Sequence, residues 1–218
     1  MSVTELARLT LQSGNEASSP ALLDNLAKAK DAMMKASGSE FWYYHCVEDP
    51  KVIFILGSWP SVEFHMQEFI PGRPNQELLA LLKDQITVDW MFHLDIDQST
   101  QPLPLSRDMI AIARHFITDG EKEAFKGTFE ATRYELESFV GKEHVVGGWR
   151  IDIGYDPSAE RENRKDEFVL FSAWDSVERH GEFAKTEGFQ KYSQIRNHID
   201  GAEIKHAKLL QVGEQVRK

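Results

Sequence analysis

One segment, Trp-x-Ser-Val-Glu-x-His, occurs twice in this chain, and that repetition constrains the fold more than any other feature. Trp59-Pro60-Ser61-Val62-Glu63-Phe64-His65 aligns with Trp174-Asp175-Ser176-Val177-Glu178-Arg179-His180 at a shift of 115 residues, with five of seven positions identical. A second match lies upstream, where Trp42 and Asp49-Pro50 align with Trp149 and Asp156-Pro157 at a shift of 107. The eight extra residues, Ser158 to Lys165, read as a charged hairpin insertion. Self-similarity at a fixed period marks a duplicated structural unit. The expected organisation is therefore a first unit over 1–97, a linker over 98–106 and a second unit over 107–218. A chain of 218 residues can give each such unit its own core.

Hydrophobic periodicity places the same elements in both halves. In the first, Thr4 to Leu11 reads as a strand, and Ser19-Pro20 supplies an N-cap and an N1 proline for a helix to about Ala36. Phe41 to Val47 and Val52 to Gly57 pair around the Asp49-Pro50 turn. A helical region opens at Pro60, breaks at Pro71-Gly72-Arg73-Pro74, resumes from Gln76 to Lys83, and is followed by a strand from Thr87 to Asp95. The second half reads as strand Met109 to Ile117, helix Glu121 to Val140, strands Gly148 to Tyr155 and Glu167 to Ala173, one helix from Ser176 to about His198, and strand Ala202 to Leu210. Strand-helix-strand-strand-helix-strand is the ferredoxin-like order. The fold class is α+β: two fused ferredoxin-like units, whose antiparallel sheets are expected to pack face to face because helices cover only one side of each.

Bulk properties narrow the function. A net charge of −10 and a pI near 5.3 disfavour phosphate backbones and anionic membrane surfaces, so neither nucleic acid nor membrane is an expected partner. One cysteine, Cys46, forms no internal disulfide, and no basic-then-apolar leader opens the chain; a soluble cytoplasmic protein is expected. Neither phosphate-cradling glycine loop, nor a Gly-x-Ser-x-Gly elbow, nor a His-Glu-x-x-His pair is present. No metal and no cofactor are expected, although a haem on a single histidine would leave no spacing signature.

A strand ending in Trp and followed by Ser-Val-Glu-x-His at a helix start resembles the dimeric α+β barrel superfamily, especially its antibiotic-biosynthesis-monooxygenase-like and fungal stress-response-like branches. The resemblance covers both halves and rests on Trp59, Ser61, Glu63 and His65 with Trp174, Ser176, Glu178 and His180. It implies a cofactor-independent enzyme acting on a phenolic or polyketide-type small molecule, by monooxygenation, cyclisation or decarboxylation. Its alternative is a non-catalytic ligand-binding or stress-related protein. The implied assembly is a monomeric pseudo-dimer or a homodimer.

Each motif residue also has a structural reading. Asp175 and Glu178 have the spacing of a capping box. His65 and His180 fall on the buried stripe, as hydrogen-bonded core residues or as bases. Trp59 and Trp174 read either as walls of a substrate site or as core anchors. Strand parity locates further candidates, since alternate residues face opposite sides. Arg8 and Arg114 share the parity opposite Ala7, Leu9, Ala111 and Ala113. The 107-residue shift pairs Trp42, Tyr44 and Cys46 with Trp149, Ile151 and Ile153 as an apolar face, leaving Tyr43 and His45 with Arg150 and Asp152 on a polar face toward the inter-sheet space. His45, Arg150, Asp152 and Arg114 are therefore the expected catalytic residues, with arginines holding an oxyanion and a histidine as base. Arg8, Tyr43, Trp59, His93, Trp174 and His206 are the expected substrate contacts.

Overall fold

A computed structural model describes residues 1–105, 107, 109–152 and 165–213. It divides into two compact units, Met1–Gln98 with Ala207–Lys218, and Ser99–His206. The last strand thus returns its end to the first unit, whereas the sequence reading left all of 107–218 in the second.

The first unit contains β1 (Val3–Leu11), α1 (Pro20–Ser37), β2 (Phe41–Cys46), β3 (Val52–Trp59), a π-helical segment (Phe64–Phe69), α2 (Arg73–Leu82) and β4 (Ile86–Leu94). The strands lie in the order β4-β1-β3-β2, all antiparallel, as a ferredoxin-like unit requires. Residues Ala207–Leu210 of β8 (Ile199–Leu210) pair with β2. α1 starts where Pro20 supplies a preset φ behind Ser19 and ends at Gly38, whose φ of 73° lets its N–H reach the Met34 carbonyl. Leu22, Leu26, Ala29 and Met33, spaced at helical intervals, bury its inner face. α2 begins at Arg73 rather than Gln76, with Pro74 absorbed in its first turn, where a missing N–H costs nothing.

The second unit contains β5 (Met109–Ile117), α3 (Lys122–Val140), β6 (Val145–Trp149), β7 (Glu167–Trp174), α4 (Val177–Phe183), α5 (Glu187–Tyr192) and β8 as far as His206, with sheet order β8-β5-β7-β6. Phe125, Phe129 and Leu136 of α3 pack on Ala111, Ala113, Phe168 and Leu170. Two sequence expectations change. The strand expected over Gly148 to Tyr155 is β6, three residues earlier, and the expected insertion falls mostly on residues 153–164, outside the described residues. The single helix expected over Ser176 to His198 is α4, α5 and a 3₁₀ stretch (Ser193–His198), because the Thr186 hydroxyl accepts from the Phe189 N–H and starts a new helix.

The repeated segment caps helices through serine. Ser61 Oγ accepts from Phe64 N–H at 3.1 Å and Ser176 Oγ from Arg179 N–H at 3.1 Å. Asp175, expected as the cap, instead pairs with Arg107. Ser176→Ala should therefore cost about 1 kcal/mol, read as a lower urea midpoint, while Asp175→Ala should leave that midpoint nearly unmoved. Among the described residues no helix is long and apolar enough to cross a membrane, and no group of three or more His, Cys, Asp and Glu side chains is arranged to hold a metal ion.

Candidate active site

β1 places Glu5 on the side of the sheet that α1 and α2 cover, in line with Ala7 and Leu9, and the adjacent strand sets His93 directly beside it. A carboxylate there is 3% exposed, in a position that favours apolar side chains. It is held by its neighbours. Trp59, the last residue of β3, donates its indole N–H to Glu5 Oε2 at 2.6 Å. His65, from the π-helical segment, stacks on Trp59 with ring centroids 4.0 Å apart and planes 11° apart. Its Nε2 lies 4.0 Å from Glu5 Oε2, and its Nδ1 lies 2.7 Å from His93 Nε2. Glu5, His65 and His93 thus form a buried line of three proton carriers.

Burial sets the proton affinities of Glu5 and His65. Desolvation raises the Glu5 pKa above the ordinary carboxylate value, and the Trp59 hydrogen bond and the nearby His93 only partly oppose it. Desolvation also lowers His65 to about 3, aided by His93, so the imidazole is neutral at pH 7. A neutral imidazole next to a carboxylate of raised pKa is an arrangement that can accept a proton from a ligand and share it.

The line opens on a cavity of about 470 Å³ between the sheet and the helices of the first unit. Glu5 and His65 form its polar end, and Leu26, Met33, Ile55 and Phe69 supply much of its apolar wall. Tyr43 also lines it, donating its hydroxyl to the Leu26 carbonyl at 3.2 Å; burial, with Glu5 nearby, raises its pKa and keeps it protonated. The π-helical segment makes the geometry. An Ile70 N–H to His65 carbonyl bond spans five residues, and the wider turn buries both His65 and Phe69.

The second unit repeats the frame without the carboxylate. Trp174 stacks on His180 at 4.2 Å, and His180 Nδ1 lies 2.7 Å from His206 Nε2. Burial, then His206, lowers His180 to about 4. Ala111 faces Ser172 where Glu5 faces Gly57, and the Ser172 hydroxyl takes the Trp174 indole N–H at 2.8 Å. Gly57 is needed in the first unit because a Cβ there would meet the Phe41 ring at 2.0 Å. α4 is an ordinary helix, and the matching cavity shrinks to about 90 Å³.

The sequence-predicted residues divide accordingly. Tyr43, Trp59 and His93 come together around Glu5, and Trp174 and His206 form the counterpart pair with His180. His45 lies outside both clusters, its Nε2 against the Pro50 carbonyl at 2.9 Å. Arg8 pairs with Asp89 on the opposite side of the sheet. Arg114 pairs with Glu167 and Glu203, and Arg150 with Asp152 and Glu167, so these arginines meet carboxylates rather than standing ready for an oxyanion. Tyr43 was expected on the face away from the helices and lies under them. The register explains this: Ile55 opposes Tyr43 and Leu170 opposes Gly147, so the equivalent positions are 104 residues apart, not 107. An odd error reverses every facing along a strand. Glu5 was missed, although a carboxylate on the parity of Ala7 and Leu9 was the signal that could have found it. His65 belongs to the repeated motif but is not among the residues the sequence assigns to the site.

No family model matches the sequence, and no curated protein matches it. Solved structures do. A candidate chlorite dismutase superposes with a TM-score of 0.66 at 11% identity over 97% of this chain and 96% of its own. A candidate monooxygenase from Fusobacterium nucleatum gives 0.61 at 10% identity over 96% and 93%. An anthrone oxidase-like protein gives 0.59 at 13% identity over 99% and 95%. These likenesses establish the fold.

A haem, the one group for which the sequence left room, does not fit the side chains that line the first unit's cavity. His65 turns Nδ1 to His93 and Nε2 toward Glu5, leaving no ring nitrogen aimed into the cavity. Lys83 is the only cation among the described wall residues, too few for two propionates.

Proposed function

We propose that the cavity of the first unit is the active site of an oxygenase that deprotonates a largely apolar, phenolic or enolisable substrate of polyketide type and needs no bound cofactor. The buried Glu5–His65–His93 line ending in an apolar cavity is the observation that carries this reading. Glu5, its pKa raised by burial, takes the proton from an acidic C–H of the substrate. The apolar walls exclude water and keep the resulting carbanion electron-rich. That carbanion reduces dioxygen: one oxygen atom replaces two hydrogens as a carbonyl, and the other leaves as water. The names of two structural neighbours, a monooxygenase and an anthrone oxidase-like protein, point to the same chemistry.

Purified protein should consume one dioxygen per anthrone at pH 7 to 8 and yield the quinone, followed with an oxygen electrode and mass spectrometry. Tight binding of anthrone-type compounds without uptake above the uncatalysed rate would instead make this a ligand-binding protein, the alternative the sequence resemblance also carries.

A further inference from the structure

We infer that the ligand of the first unit's cavity is an elongated amphipathic acid, which lies with its reactive C–H at Glu5 and leaves an anionic group at the cavity mouth against Lys83. This inference rests on the reading of that cavity as the substrate site and names the class of molecule that fills it.

The cavity has two unlike ends. Glu5 and His65 close the inner one, and both are buried. At the other, Leu79 and Val88 line the wall while remaining 48% and 47% exposed, which marks where it meets solvent. Val88 pairs with Leu9, four residues along β1 from Glu5, so the two ends are about 13 Å apart at the rise of a β-strand. A fused polycycle or a medium-length acyl chain spans that length; a single ring does not.

Lys83 stands at this mouth and is the one cationic side chain on the described wall. It makes no ion pair among the described residues. A lysine at the end of α2 is favourable to the helix in any case. The backbone there is already satisfied, however, since Gln12 donates to the Lys83 carbonyl at 2.7 Å and Gln85 N–H to the Leu82 carbonyl at 2.9 Å. Its ammonium is therefore available to a ligand emerging from the apolar channel. The placement suits an acid: the anion stays hydrated beside Lys83, the apolar body is buried, and the ionised headgroup is kept from the carboxylate of Glu5 by the length of the cavity.

The test compares two probes with one ring system, anthraquinone-2-carboxylate and 2-(hydroxymethyl)anthraquinone, by calorimetry at low salt with the full chain. Wild type should bind the carboxylate about fivefold to tenfold more tightly, as an exposed charge pair allows, and raising the salt should erase the preference. Lys83→Gln should equalise the two probes by weakening only the acid, and Lys83→Glu should reverse the order. Ala29→Phe, which fills the cavity, should weaken both. Equal affinities in wild type, or a preference that survives Lys83→Gln, would overturn the assignment of the acid while leaving the cavity as the binding site. Failure of wild type to bind either probe, or binding that Ala29→Phe does not weaken, would overturn both.

Discussion

Replacing Glu5 by glutamine should abolish most of the proposed oxygen-consuming activity and leave the first unit as stable as before, or more so. The two effects separate because glutamine keeps one of the two properties of the carboxylate. Its carbonyl oxygen still accepts the Trp59 indole N–H, a 2.6 Å bond in the wild type, but it cannot take a proton. Loss of a general base lowers kcat by about 10² to 10⁴. Stability moves the other way. Burial holds the Glu5 pKa above its unfolded value, so ionised Glu5 weakens the fold as pH rises through that raised pKa. The Glu5→Gln variant carries no such penalty, and its advantage in the urea midpoint should grow as pH rises above the ordinary carboxylate range. Glu5→Ala, by contrast, strands a buried indole N–H and should cost about 1–3 kcal/mol. Wild-type kcat should rise with pH as Glu5 ionises. A Glu5→Gln variant that consumes oxygen at the wild-type rate would show that Glu5 is not the base.

The fold was legible because it rests on signals of short range. The Trp-x-Ser-Val-Glu-x-His repeat fixes the 115-residue relation between β3 and β7, and the apolar spacing of α1 and α3 specifies their inner faces. In β1 and β5 the alternation of Ala7, Leu9, Ala111 and Ala113 gave the correct facing. The site was less legible because it depends on register. Trp42 and Trp149 look equivalent, yet Trp149 packs on Phe125 and Phe168 under the helices, while Trp42, opposite Leu56, takes the other face. An irregularity in β4 between the partners of Arg8 and Leu9 lets Val88 and Met91 both line the cavity, and no periodicity announces such a bulge. The π-helical turn that buries His65 with Phe69 adds one residue to a helix, which is equally silent in sequence. Part of the difference between the units lies in two substitutions, Glu5 for Ala111 and Gly57 for Ser172, which become meaningful only once the strands are aligned.

The second large effect is acid lability, and it should be greater in the second unit. His115 and His180 there are each held at about 4, and His65 in the first unit at about 3, in every case chiefly by burial. A histidine whose folded pKa is lowered stabilises fully above its unfolded value near 6.5, and that contribution is lost as pH falls toward the folded pKa. Each loses about 1.4 kcal/mol per pH unit in that window. In the first unit this is offset, since Glu5, with its pKa raised, gains stability as it takes up its proton. The second unit has two such histidines and Ala111 in place of the carboxylate, so among the described residues no counterpart of Glu5 opposes them. From pH 6.5 to 4.5 it should lose about 5 kcal/mol, comparable to the whole stability of a small domain. The fluorescence of Trp149 and Trp174 should therefore change near pH 5, before that of Trp42, Trp59 and Trp90, as read in Trp→Phe variants that leave one set at a time. His115→Gln with His180→Gln removes both titrations and should move the second unit's midpoint down by about one pH unit. A first unit that unfolds before the second on acidification would show that Glu5 does not compensate His65, and with that the reading of Glu5 as a carboxylate of raised pKa would fail.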